Sequence, residues 1–201
     1  MPKIYNASED VVSAAKKRLR DHYLAGDRVV ISISGGKDSI VVMELAIQVA
    51  RELGILPVEC IMRDEEIMVP GTFEYLERVY WRQDEVKLHW VIAGQPIINA
   101  YNRWFPYWWV FDPLEEEKWV RQPPPFATWI DTQCIDGMTS VTRFPPAEGK
   151  RLISVIGLRA QESLVRMNRI SSTRGALTKH PTAYGAYNLA PIYDWTDDDV
   201  W

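Results

Sequence analysis

The spacing of hydrophobic and polar positions changes several times along the chain, and each change marks an element. Between Ser8 and Gly26, Val11, Val12, Ala15, Leu19 and Tyr23 recur at helical spacing, with Ser8 placed to cap the start and Gly26 to close the end. The Lys16-Lys17-Arg18 run reads as the solvated face of that helix. Val29-Val30-Ile31-Ser32-Ile33 is β-branched and bounded by Gly26-Asp27 and a glycine pair, which predicts a buried parallel strand. From Ile40 onward Val41, Val42, Met43, Leu45, Ala46, Ile47, Val49, Ala50 and Leu53 surround nearly the whole of a helix, so that helix is expected to be covered on most sides. Strands are predicted near 28–33, 56–62, 87–92, 151–157 and 188–192, with helices near 38–53, 71–85 and 160–170. Strand alternating with helix implies an α/β fold, a doubly wound parallel sheet of five strands. At 201 residues the chain suffices for one such domain over 1–201 and is too short for two.

Residues 101–146 break the rhythm. This stretch holds Trp104, Trp108, Trp109, Trp119 and Trp129, five of the nine tryptophans, together with Pro106, Pro113, Pro123-Pro124-Pro125 and Pro145-Pro146. It reads as an insertion, and its aromatic content argues against disorder. Its aromatics, with Arg103, Lys118 and Arg121, suit stacking on the bases of a single-stranded nucleic acid. A small satellite core, or a patch for a protein partner or self-association, is favoured over that reading.

The chemistry is concentrated where the first strand meets the covered helix, at Ser34-Gly35-Gly36-Lys37-Asp38-Ser39. Two glycines let backbone approach an anion, and the first free N–H groups of the helix point at it with the positive end of the dipole. Lys37 adds a point charge; Ser34 and Ser39 add hydroxyl donors. Asp38 is out of place beside phosphates unless a divalent cation lies between them, so Mg²⁺ is expected at Asp38. The plainer alternative is a βα turn in which Asp38 is only an N-cap. Ile31 stands where a Walker A loop has its first glycine and Asp38 where it has Ser or Thr, so the loop is not of that kind.

Residue for residue the segment resembles the SGGxDS loop of the PP-loop (N-type) ATP pyrophosphatases, the adenine nucleotide α-hydrolase-like superfamily of HUP-type fold. Gly157-Leu158-Arg159-Ala160-Gln161-Glu162-Ser163 with Arg166 resembles the GxRxxES…R segment of its phosphoadenosine-phosphosulfate (PAPS) reductase branch. Pro191-Ile192-Tyr193-Asp194-Trp195, followed by Asp199-Val200-Trp201, resembles a second signature of that branch. Within the branch the chain is most similar to phage- and plasmid-borne regulator-like proteins labelled as PAPS reductase domains. The ECGLH motif that carries the catalytic cysteine of true PAPS reductases is absent. The resemblance implies an ATP-binding transferase-type enzyme that cleaves between the α- and β-phosphates, adenylates an unknown acceptor and releases pyrophosphate. It assigns the nucleotide to Ile33, Ser34, Gly35, Gly36, Lys37, Asp38, Ser39, Asp64, Glu65, Gly157, Arg159 and Glu162. Catalytic roles fall to Lys37, Asp38, Arg159 and Arg166. A PAPS or adenylylsulfate reductase-like protein, and a non-catalytic nucleotide-binding regulator associated with nucleic acid, are the alternatives.

Charge and cysteine content narrow the picture. The net charge of −4 argues against indiscriminate nucleic-acid binding, yet from Arg143 to His180 eight bases face two acids, leaving that segment net +6. Arg159 and Arg166, seven residues apart, are expected on one helical face as an anion site. Two cysteines, Cys60 and Cys134, are too few for an iron–sulfur cluster. Cys60 is expected to be buried, Cys134 to lie in a loop. No apolar run reaches the roughly 18 residues of a membrane span, and the N-terminus has no signal-peptide core, so a cytoplasmic location is expected. Thr196-Asp197-Asp198-Asp199 starts a helix that only Val200 and Trp201 continue, which suggests a truncated or absent C-terminal region.

Overall fold

The computed structural model describes residues 9–93, 96–98, 102–130, 144–173, 176–179 and 186–201. The first helix, α1 (Val11–Leu24), is capped by Asp10, whose carboxylate accepts from Ser13 N–H at 2.9 Å; the expected cap, Ser8, lies outside the described residues. β1 (Arg28–Ser32) leads through the glycine loop into α2 (Lys37–Leu53), and β2 (Val58–Asp64), α3 (Thr72–Tyr80) and β3 (Val86–Ala93) follow. Pro57 has no N–H to donate, and β2 starts after it, two residues later than the apolar pattern suggested. β4 (Pro96–Ile98) and β5 (Tyr107–Trp109) form a separate antiparallel pair, and β6 (Thr128–Ile130) returns to the main sheet. β7 (Leu152–Val155), α4 (Leu164–Thr173), β8 (Leu177–Lys179), β9 (Ala186–Leu189) and α5 (Asp197–Val200) complete the order.

The main sheet has seven strands rather than five, in the order β6-β3-β2-β1-β7-β9-β8, all parallel except β8, which runs antiparallel to β9. The two additional strands are three residues each, too short for a sequence period to declare itself. Order reverses between β1 and β7. Chain progress to one side of β1 uses β2, β3 and β6; to the other side it uses β7 and β9, so the crevice above the β1/β7 boundary is the place where loops part and a ligand fits.

One face of the sheet holds the main core, in which Ile31, Ile33, Cys60, Met62, Leu88, Trp90 and Ile153 meet Leu19 of α1, Val42, Met43 and Ile47 of α2, and Leu76 of α3. A smaller apolar cluster on the other face joins Val30, Ile61, Val91, Leu152 and Ala186 to Phe144. The aromatic stretch builds a third cluster on Ile92, Val110 and Phe111, with Trp108 and Trp119 packed against it, and Phe111 meets the Trp119 ring edge-on at 5.3 Å. Its described part is therefore a satellite core, although Trp104 remains 77% and Leu114 89% exposed. No helix among the described residues is long and apolar enough to cross a membrane.

The acidic turn after β2 anchors this aromatic stretch. Glu66, 4% exposed and with φ of 65°, accepts from Phe111 N–H at 2.7 Å and from Val120 N–H at 2.9 Å. Asp64, 1% exposed, accepts from Trp90 Nε1–H and from Glu66 N–H, both at 2.8 Å, and pairs with Arg121. The Arg121 guanidinium stacks 4.3 Å over Phe73. A buried carboxylate holding two backbone N–H groups leaves both orphaned when removed. Glu66→Ala is thus expected to lower unfolding free energy by about 2–4 kcal/mol, read from the urea midpoint, whereas exposed Glu65→Ala changes it by less than about 1 kcal/mol.

Candidate functional site

The apolar run of β1 fixes one limb of the site by delivering its loop to the carboxyl edge of the sheet, where Ile33 N–H still donates to Ile61 of β2 at 2.9 Å. Gly35 turns with φ of +76°, and a Cβ there would lie 2.5 Å from the Thr72 methyl of α3, so both backbone conformation and space require glycine. Gly36 occupies the N-cap of α2 with no side-chain capping bond, which leaves the first N–H groups of a 17-residue helix facing the loop. Ser39 Oγ donates to Gly36 C=O at 2.8 Å and accepts from Ser34 N–H at 3.2 Å. Its hydroxyl shapes the loop from within.

The second limb follows β7. A Cβ on Gly157 would sit 2.7 Å from Ser39 N and 2.8 Å from Asp38 C, so the turn after β7 lies directly on the first turn of α2. That contact delivers Arg159, only 3% exposed, to Asp38: Nε donates to Oδ2 at 2.9 Å. Arg159 Nη2 reaches Asp197 Oδ1, also at 2.9 Å. Burial lowers the affinity of this guanidinium for its proton, but the bonds to Asp38 and Asp197 outweigh it and the pKa is raised. The same Arg159 contact holds the Asp197 carboxyl below the usual carboxylate range. Two atoms are left over here. Arg159 Nη1 and Asp38 Oδ1 are both buried and have no hydrogen-bond partner.

A third limb comes from the end of the chain. Asp194 accepts a two-pronged bond from Arg18 of α1 at 2.8 and 2.6 Å, and Trp195 donates from Nε1 to Val11 C=O at 3.1 Å. These bonds seat α5 so that Asp197 N–H donates to Gln161 Oε1 at 3.1 Å and Asp197 Oδ1 lies 3.5 Å from Lys37 Nζ. Lys37 Nζ also stands 4.8 Å over the Trp201 ring.

Lys37, Asp38, Gly157 and Arg159 thus gather at the β1/β7 crevice, beside a cleft of about 670 Å³ lined by Ile33, Ser34, Gly35, Gly36 and Glu65 among others. Asp64 is not in the cleft, because Trp90, Glu66 and Arg121 occupy its oxygens. Glu162 accepts from Arg159 N–H at 3.1 Å and pairs with Arg166, which is more exposed than Arg159. Glu162 orients the arginines. Asp197 joins the cluster although the sequence marked it only as a helix-starting acid, and an acid run close to a basic loop was the available signal. Cys60 is free and buried, with its thiol pushed well above its ordinary pKa by burial; Cys134 lies outside the described residues, as does Arg174 of the basic segment. No group of three or more candidate metal ligands occurs among the described residues.

No family model matches the chain. It is 29% identical over 210 residues to the uncharacterized protein YbdN of Escherichia coli (strain K12), a match that covers 96% of this chain and 51% of that protein. Candida glabrata FMN adenylyltransferase in complex with FAD and inorganic pyrophosphate superimposes with a TM-score of 0.56 at 14% identity, over 95% of this chain and 53% of that one. The chain spans about half the length of these relatives. A phosphoadenylyl-sulfate (PAPS) reductase from Candida auris, as a phosphate complex, gives a TM-score of 0.52 at 10% identity, over 99% of this chain and 86% of that one. At such identities the likeness is of fold alone, an α/β arrangement around a mostly parallel sheet.

The contact at Gly157 separates packing from chemistry. Gly157→Ala puts a methyl into the backbone of residues 38–39 and is expected to cost about 1–3 kcal/mol in stability and to displace Arg159 from Asp38. At Gly36 a Cβ meets only Ser34 Oγ, at 3.4 Å, so Gly36→Ala should keep wild-type stability. Thermal unfolding of both variants checks the difference.

Proposed function

We propose that the chain is an ATP-binding PP-loop enzyme that cleaves between the α- and β-phosphates and transfers the adenylyl group to an acceptor, releasing pyrophosphate. The observation that carries this reading is that Arg159 and Asp38, joined through Nε and Oδ2 at the first turn of α2, each keep one buried atom without a partner, Nη1 and Oδ1. A donor and an acceptor reserved in one place suit an anion that arrives with its own cation. Burying either without a partner costs about 1–3 kcal/mol, which such a ligand would return. The Candida glabrata enzyme of similar fold is an adenylyltransferase, and its complex holds inorganic pyrophosphate.

In this reading the loop from Ser34 to Ser39 cradles the β- and γ-phosphates, with Gly35 and Gly36 presenting backbone and Lys37 adding charge. Lys37 must leave Asp197 and the Trp201 ring to do so. Mg²⁺, held by Asp38 and phosphate oxygens, would neutralise charge developing on the departing pyrophosphate. Arg159, fixed by Asp38 on one side and Asp197 on the other, aims its remaining N–H at the α-phosphate as the bond to it breaks. Cys60, on β2 with its side chain in the core, is not placed for the thiol chemistry of a PAPS or adenylylsulfate reductase.

Lys37→Ala and Asp38→Ala are each expected to weaken Mg·ATP binding by about 1.5–3 kcal/mol, roughly 10- to 150-fold, in titration calorimetry. Unchanged affinity in both variants would sink the phosphate-loop assignment. Turnover by the purified protein should release pyrophosphate and AMP or an adenylate; ADP and orthophosphate would contradict α–β cleavage.

A further inference from the structure

Parallel strands in the middle of an α/β sheet are expected to be apolar on both faces. β7 and β9 depart from this at one register position. Ser154 and Asn188 sit opposite each other in the ladder, each 2% exposed, next to Val30 of β1. The Asn188 Nδ2 donor has no hydrogen-bond partner. A carboxamide buried with an idle donor costs about 1–3 kcal/mol. Both residues line the same cleft that begins at the glycine loop.

The opposite wall of the cleft has the contrary character. Ile67 and Val69, on the connection from β2 to α3, are 58% and 75% exposed and line the cleft with Met68 between them. An apolar wall suits the face of a planar ring, and a carboxamide suits its edge. Strands lie about 4.8 Å apart, so Asn188, two strands from β1, is roughly 10 Å across the sheet from the root of the phosphate loop. It meets a different part of the ligand from the phosphates.

We infer that Asn188, with Ser154 beside it, reads the hydrogen-bonding edge of a bound purine and selects adenine over guanine. This rests on the nucleotide reading above and extends it to the base. A carboxamide presents one donor and one acceptor in a single plane. Adenine answers with N7 as acceptor and the N6 amino group as donor, whereas guanine presents two acceptors, N7 and O6, and leaves the Asn188 carbonyl facing an oxygen. Discrimination by one such two-pronged pair amounts to about 5- to 150-fold.

The test is a set of equilibrium titrations with Mg²⁺ and ATP, GTP or 7-deaza-ATP, in which carbon replaces N7. Wild type should prefer ATP to both others by at least about 5-fold, and Asn188→Ala should compress all three affinities to within about 2-fold of one another. Lys37→Ala should instead weaken all three alike and preserve their order. An unaltered ATP-to-GTP ratio in Asn188→Ala, or equal losses for every nucleotide, overturns the assignment while leaving the phosphate loop in place. Should Asn188→Ala not fold, equal affinity of the wild-type protein for ATP and 7-deaza-ATP overturns it independently. A wild-type protein that binds none of the three removes the nucleotide reading itself, and this inference with it.

Discussion

A guanidinium taken out of water must be paired, and Arg159 meets that demand with two carboxylates from opposite ends of the chain. Asp38 comes from the first turn of α2 and Asp197 from the first turn of α5, while Arg159 itself belongs to the turn after β7. Three elements with no local connection are therefore held in one arrangement by the charge of one side chain. The contact depends on the missing side chain at Gly157, because only a bare backbone can approach residues 38 and 39 closely enough to bring Arg159 within reach. Removing either acid would leave a buried cation short of a partner, so the geometry of the crevice and the stability of its walls are set by the same interaction.

Much of this was legible along the chain. The β-branched run before Ser34 and the all-round apolar pattern after Ile40 announced β1 and α2 because each signal is long and strongly periodic. Gly157 and Arg159 were placed at the ligand edge by the strand that precedes them. What escaped was non-local. Asp64 was expected at the nucleotide, yet its oxygens are taken by Trp90 and by Arg121, 57 residues away. Glu66, one of the most heavily engaged acids, had no distinguishing signal, since its partners are backbone groups of the aromatic stretch. Arg166 was expected to share a helical face with Arg159, but a 3₁₀ turn at Ala160–Glu162 and the extended Ser163 interrupt the helix, so the count of two turns does not run between them. The block Pro191 to Trp195, which looked like a functional signature, acts as a structural clamp on α1.

The acidic turn ties the aromatic stretch to the cleft more closely than either would suggest alone. Asp64 and Glu66 point into the protein and hold Arg121, Phe111 and Val120, while Glu65 between them lines the cleft and pairs with Arg63. The turn at Glu66, with φ of 65° and its N–H bonded back to Asp64, sets these directions. The apolar wall formed by Ile67 to Val69 continues directly from that turn. A shift of the aromatic cluster against the sheet would be felt at the mouth of the cleft through three consecutive residues.

The outermost strands, β6 and β8, have a meaning of their own. Each is only three residues long, and β6 covers β3 only from Val91 to Ala93. Backbone groups on such brief borders offer a passing chain few places to zip on, and the earlier part of β3 carries Lys87, a charge that discourages a foreign strand from settling there. These two borders of the main sheet are therefore poor places for a foreign strand to add, and the described surface around Trp104 offers exposed side chains instead.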